Sequence, residues 1–467
     1  MLPQLLDHKI LGKDSLRRYQ LKAINEWINN SCRGILRVAT GCGKTIIAIA
    51  AIRHLLTLDG HYPHFVIITV PQTHLANQWS EELRKYEFKP LICHSGVFNW
   101  DKKLRNDVLR VKGGVKKVSV VVVTISSFIR EKFLSLVDAD LRTLLISDEA
   151  HNVGANETRK HLPTQITYRM GLTASPDRLF DQPGNQFLQE FFGGTIFTYS
   201  LAEAIKEEYL VPYDYKPQLT VLANHELETY ESLSKRIALL QSKLKREKDP
   251  VKYHELEEEI KDLMINRQTR IVNAEEKLDL LPDIIKPFTT EGGLIVFCSP
   301  QQFKEVGNIL SNQNILYRSL HYKNHTMTER VEILKAFEKG LFKVLVAINL
   351  LSEGVNLPSV RTAIFLASST NPREYIQRRG RILRLFPNKT KATVIDFIVA
   401  PPLGAIDPMM DGESEPYQFM INEFDRALVF ASDSLAGFLS LKPFAHLLAI
   451  PYFHNKHQLT IEVIKNH

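Results

Sequence analysis

A chain of 467 residues, 44% hydrophobic and 24% charged, is long enough to bury two or three cores and too apolar to remain unfolded. It has no apolar run near the roughly twenty residues of a membrane span and no signal-peptide core in Met1 to Lys13, so neither a membrane-spanning nor a secreted protein is expected. Four scattered cysteines without a Cys-x-x-Cys pair argue against a metal centre or a disulfide framework and suit a reducing cytoplasm, and a net charge of +7 modestly favours a polyanionic partner.

In chain order, the apolar pair Ile35-Leu36 predicts a short strand. It leads into Val38-Ala39-Thr40-Gly41-Cys42-Gly43-Lys44-Thr45 and then a helical stretch from Ile46 to Leu56. A strand, a glycine turn and a helix start together make a phosphate cradle. Gly41 and Gly43 let backbone N–H groups close on phosphate oxygens, Lys44 reaches the β- and γ-phosphates of ATP, and Thr45 offers its hydroxyl to Mg²⁺. The generic pattern starts with Gly where this chain has Val38. Further buried strands are expected at Phe65 to Val70, Val118 to Thr124, Leu144 to Asp148 and Ile166 to Leu172, with helices between them. That alternation predicts a parallel α/β sheet with crossovers. The third of these strands would deliver Asp148 to the Mg²⁺, with Glu149 placed to polarise the attacking water. Between them Lys102, Lys103, Arg105, Arg110, Lys112, Lys116 and Lys117 crowd one segment, open to two readings: a contact for a polyanionic partner, or simply a solvated loop.

Glu226 to Asp283 is rich in Glu, Lys and Leu. Leu233, Ile237, Leu240 and Leu244 form one stripe at helical spacing, Tyr253, Leu256, Ile260 and Leu263 a second, and Asp249-Pro250 breaks the run. A helical hairpin is predicted, packing on its own domain or touching nucleic acid or a partner. The strand rhythm restarts with Leu294 to Cys298, Tyr317 to His321, Lys343 to Ala347, Thr362 to Leu366 and Thr393 to Phe397. A linker follows at Ala400 to Gly404 and Asp407-Pro408, then a small helical tail from Pro416 to Leu448. The expected fold is therefore α/β, with two tandem domains at 1–200 and 201–400, a helical insertion at about 224–286, and a helical extension at 401–467.

The ordered motifs resemble those of the superfamily 2 nucleic-acid helicases, of the branch that holds XPB-like proteins and restriction-enzyme motor subunits. Asp148-Glu149-Ala150-His151 is similar to the DEAH form of that family's carboxylate box, and Leu16 to Gln20 to its adenine-reading element, with Arg18 where most members have Pro. Val70 to Leu75 with Gln78-Trp79, Val123 to Ser127, and Ile295 to Ser299 resemble its backbone-holding motifs. Gly171 to Pro176 resembles its Leu-Thr-Ala-Thr-Pro motif, with Ser175 for the second Thr. Ser352 to Pro358 is similar to its Glu-Gly-x-Asp/Asn-x-Pro motif, and Gln377 to Arg384 to Gln-x-x-Gly-Arg-x-x-Arg.

The resemblance implies two RecA-like domains that hydrolyse ATP with Mg²⁺ and move along nucleic acid. It gives Gln20 the adenine, and Pro71, Gln72, Thr124 and Ser299 the phosphodiester backbone. His151, Thr173, Ser175 and Glu353 would couple the two activities, Gly354 would touch nucleotide, and Gln377, Arg381 and Arg384 would complete catalysis. Arg381 and Arg384, at i and i+3, are expected on one side of a helix. An arginine finger of this kind is worth about 10³ to 10⁵ in rate. The expected track is DNA, with RNA as the alternative. Two rival readings stay open: a double-strand translocase serving a restriction, repair or defence complex with other protein subunits, and an ATPase switch gated by a partner. A cytoplasmic setting is expected, with no membrane contact.

Overall fold

The computed structural model describes residues 11–12, 15–58, 63–137, 140–175, 181–321, 325–348, 357–368, 372–402, 405 and 415–444. Glu353, Gly354 and the Asp407-Pro408 linker lie outside these residues. The chain divides into two units between Leu210 and Val211. This is ten residues beyond the expected 200, because Tyr209 remains with the first unit, where its ring lies 5.3 Å from that of Tyr19.

Seven strands among the described residues make the first sheet: β1 Arg33–Val38, β2 Phe65–Val70, β3 Leu91–Cys93, β4 Ser119–Thr124, β5 Thr143–Asp148, β6 Tyr168–Thr173 and β7 Thr195–Tyr199. They lie in the order β3-β4-β2-β5-β6-β1-β7, every pair parallel. The long central strands are buried on both faces, so each reads as a continuous apolar run. Parallel pairing brings all their C-terminal ends to one edge: Val70 sits opposite Thr124, Cys93 opposite Val123, Asp148 opposite Leu172 and Arg37 opposite Thr173. The basic run is helical up to Lys112, and only Lys116 and Lys117 lie in the loop beyond it. Trp100–Lys112 is a helix whose Trp100, Leu104, Val108 and Val111 join the core on one face of this sheet.

The second unit is built on β8 Tyr213–Val221, β9 Leu294–Cys298, β10 Tyr317–His321, β11 Val344–Ile348, β12 Thr362–Phe365 and β13 Ala392–Ala400. Their order is β10-β11-β9-β12-β13-β8, again all parallel. β8 carries Pro217 and pairs with β13 alone among the described residues; proline, which lacks an N–H, is tolerated on such an edge strand.

The hairpin forms from helices Asn224–Leu244 and Pro250–Val272. Asp249 caps the second by accepting from the Val251 N–H at 2.9 Å, with Pro250 in its first turn. Ile237, Leu240 and Ile260 close its seam, flanked by Leu244, Leu256 and Leu263. Tyr253, expected in that seam, is exposed instead. At its return end Lys277 is buried and donates to the carbonyls of Ile271, Val272 and Leu366 at 2.9–3.1 Å. The tail is a helix, Glu415–Ser432, followed by a 3₁₀ turn, Gly437–Phe444. It is packed into the second unit: buried Arg426 donates to Asp396 of β13 at 3.1 Å and to Glu423 at 2.5 and 2.9 Å.

Candidate functional site

The cradle stands at the C-terminal end of β1. Val38, the last residue of that strand, is fully buried, which explains why a branched apolar residue replaces the generic glycine there. Positive φ falls instead on Gly41 (90°) and Gly43 (72°), the latter capping helix Lys44–Thr57 in the left-handed conformation. The Thr40 hydroxyl is buried here without a hydrogen-bond partner. An orphaned donor in a glycine turn at a helix start suits a phosphate oxygen. The preceding helix, Arg18–Asn29, is clamped onto the loop. The Tyr19 hydroxyl donates to the Cys42 carbonyl at 2.6 Å, and its ring stacks on Tyr199 at 3.8 Å.

Gln20 also lies on the loop: a Cβ added to Gly43 would come within 2.8 Å of its Nε2. Its Oε1, however, already accepts from the Arg17 N–H at 2.9 Å. The side chain expected to read a base edge is folded back as part of its own helix cap.

Next to the cradle, β5 ends in the carboxylate pair. Lys44 Nζ lies 3.6 Å from Glu149 Oε1, and His151 Nδ1 lies 3.6 Å from Glu149 Oε2 and 3.3 Å from Thr173 Oγ1. The Thr173 hydroxyl in turn donates to the Ser175 carbonyl at 2.9 Å. A continuous polar path thus runs Lys44, Glu149, His151, Thr173, Ser175, with Ser175 joining through its backbone and not its hydroxyl. Partial burial, and then the Glu149 carboxylate, push the Asp148 carboxyl up to about 6; the Lys44 ammonium and the Trp79 indole pull against them. That indole contact is not one the sequence motifs announce. Trp79, which follows a backbone-holding motif in sequence, faces inward and donates to Asp148 Oδ2 at 2.8 Å. The signal was present: Ala76, Trp79, Ser80 and Leu83 form the buried stripe of helix Thr73–Lys85.

The other expected backbone contacts divide. Pro71 is half-buried and Gln72 exposed at the start of helix Thr73–Lys85, open to a ligand. Thr124 is buried, and its hydroxyl donates to Ser127 Oγ at 3.0 Å, which leaves Ser126 as the exposed hydroxyl of that motif. Ser299 is likewise turned inward, its hydroxyl donating to Asn273 Oδ1 at 2.5 Å and accepting from the Gln302 N–H at 3.1 Å.

In the second unit, Gln377 and Arg381 are half-buried on helix Pro372–Ile382. Arg384 lies beyond the end of that helix, so the expected i, i+3 pair on one helical face is not formed. Lys389, buried, donates to the carbonyls of Ile382 and Arg384 and to that of Pro358, which fixes the backbone under Arg384. Arg378 and Arg379 are buried and bonded within the second unit. Arg378 donates to the Ala367 carbonyl at 2.6 Å, and Arg379 to Tyr213 Oη and the Val429 carbonyl at 2.9 and 2.8 Å.

Two family models match the chain: the res subunit of type III restriction enzymes over residues 13–178 and the helicase conserved C-terminal domain over residues 276–386. A DNA 3'-5' translocase, XPB2, of Sulfurisphaera tokodaii is 28% identical over 398 residues, 80% of this chain and 80% of that one. A putative helicase of a Sulfolobus islandicus filamentous virus is 26% identical, over 82% of this chain but 64% of its own length. Among solved structures, the helicase domain of Pyrococcus furiosus Hef superposes with a TM-score of 0.52 at 18% identity, covering 85% of this chain and 97% of that domain. The DNA-bound type ISP restriction–modification enzyme LlaBIII gives a TM-score of 0.58 at 18% identity, over 92% of this chain and 30% of that one; at such identities the likeness speaks for the fold. No helix among the described residues is long and apolar enough to cross a membrane.

Proposed function

We propose, from the premise that this chain belongs to the superfamily 2 helicases and translocases, that it couples Mg-ATP hydrolysis to movement along DNA. The observation that carries the reading is the polar path from Lys44 through Glu149 and His151 to Thr173. It joins the phosphate cradle to the sheet edge from which the exposed Gln72 and Ser126 also leave. In this reading Lys44 holds the β- and γ-phosphates, and Thr45 and Asp148 hold Mg²⁺, a cation that keeps several waters and needs few protein oxygens. The bound cation would neutralise charge developing on the transferred phosphoryl group. Glu149 orients the attacking water. Arg381 and Arg384 supply the positive charge that meets the transition state, with Gln377 beside them. His151 and Thr173 relay the state of Glu149 toward Ser175 and the track.

The reading is tested by steady-state ATPase assays without nucleic acid and with single-stranded DNA, duplex DNA, single-stranded RNA and duplex RNA. DNA should stimulate turnover at least about tenfold, and Lys44→Ala and Glu149→Gln should each abolish it, the latter still binding ATP. Turnover indifferent to every nucleic acid would replace the motor with a partner-gated switch. The relative named a translocase favours a second reading, in which the chain tracks duplex DNA within a restriction, repair or defence assembly of cytoplasmic proteins. A strand-displacement assay separates the two: the second reading predicts duplex-stimulated ATPase with no released strand.

A further inference from the structure

The basic segment between β3 and β4 is not absorbed by the ATP site, and its packing gives it a direction. Helix Trp100–Lys112 buries one stripe and turns Lys102, Lys103, Arg105 and Arg110 to solvent on the opposite face. The acidic side chains of this helix do not offset that charge. Asp101 is paired with Lys132 at 2.9 Å and Asp107 with Lys116 at 2.5 Å.

The loop leading into the helix, residues 94–99, leaves β3 at Cys93, opposite Val123, one residue short of Thr124 and three short of exposed Ser126. Within that loop Val97 packs against the core and its N–H is held by the His94 carbonyl at 3.0 Å. The next residue, Phe98, is thereby held outward and is 84% exposed, more than any other large apolar side chain among the described residues. A phenyl ring exposed just ahead of a helix whose Lys102 and Lys103 make no ion pair among the described residues is poorly explained by folding. It matches the composition of a single-strand binding surface, in which cations follow the phosphates and an aromatic face stacks a base.

We infer that Phe98, with Lys102 and Lys103, forms a binding subsite for an unpaired nucleic-acid strand, with one base stacked on the Phe98 ring and adjacent phosphates on the two ammonium groups. The subsite continues the edge marked by Gln72 and Ser126, and it rests on the motor reading above.

The test is fluorescence anisotropy of a labelled single-stranded DNA oligonucleotide with the full chain, titrated at several salt concentrations. Phe98→Ala should weaken binding about tenfold, while nucleic-acid-free ATPase stays unchanged and reports an intact fold. Phe98→Trp should bind like the unaltered chain, with the new indole's emission quenched by DNA, a response that a merely space-filling side chain would not give. Lys102→Glu with Lys103→Glu should lower the slope of log affinity against log salt by about 1 to 2. Unaltered affinity in Phe98→Ala, alongside binding by the unaltered chain, would overturn the subsite alone. No binding by the unaltered chain at any salt would remove the motor reading and the subsite with it.

Discussion

Asp148 ends a buried strand, accepts from the Trp79 indole, and sits beside a second carboxylate. Its folded pKa of about 6 compares with about 4 for an aspartate in an unfolded chain. Between those values the native state holds a proton that the unfolded state has released, so stability falls as pH rises across the window and stays reduced above it. Asp148→Asn, neutral throughout, should match the native protein near pH 4 and exceed it by about 1–3 kcal/mol at pH 7–8 in metal-free buffer. Urea unfolding at both pH values measures this, and a pH-independent difference would contradict it. The same site shows what residue type conveys and what it does not. That Lys44, Asp148 and Glu149 lie together was legible because few arrangements suit a lysine after a glycine turn and two acids after an apolar strand. Thr124, Ser299 and Gln20 were not, because a short polar group at a strand or helix end can face a ligand or cap its own backbone, and sequence does not record which.

Among elements, the tail helix forms where the sequence places it, and its packing into the second unit is what the sequence does not announce. Arg426 satisfies Asp396 and Glu423, and donates to the Phe397 carbonyl at 2.9 Å, all out of water. Arg426→Ala leaves two buried carboxylates without their cation and should destabilise the second unit by about 3–5 kcal/mol. Limited proteolysis should then cut first within 415–444, and a tail no more sensitive than in the unaltered chain would show that the network does not hold it. The Pro and Gly before this helix mark a linker and carry no sign of where the helix docks, because the buried Arg426 network that integrates it joins residues thirty positions apart. Strands followed the same rule. Those of five or six apolar residues, buried on both faces, were legible. Three-residue β3, the alternating β7 and proline-bearing β8 were not. Their patterns are those of half-covered edge strands, which resemble loops.

For the whole molecule, charge and topology act together. Parallel pairing gathers the cradle, Gln72, Ser126 and Phe98 on one edge of a single sheet, while the net charge of +7 supplies the long-range attraction. Affinity for single-stranded DNA should therefore fall by about 10- to 100-fold between 50 and 200 mM salt, as phosphate contacts release counterions. A flat titration would mean that the strand is held by something other than its backbone. The hairpin adds a mechanical consequence. Its second helix runs 23 residues, roughly 35 Å at 1.5 Å per residue. At the base of that helix Lys277 fastens its last carbonyls to Leu366, just past β12, and Asn273 is tied to Ser299 at the end of β9. The arm is thus bolted at its root to the two central strands of the second sheet, so a sideways push on its tip arrives there as torque. A load applied at that distance reaches the sheet through the Lys277 ammonium group and the Asn273–Ser299 hydrogen bond.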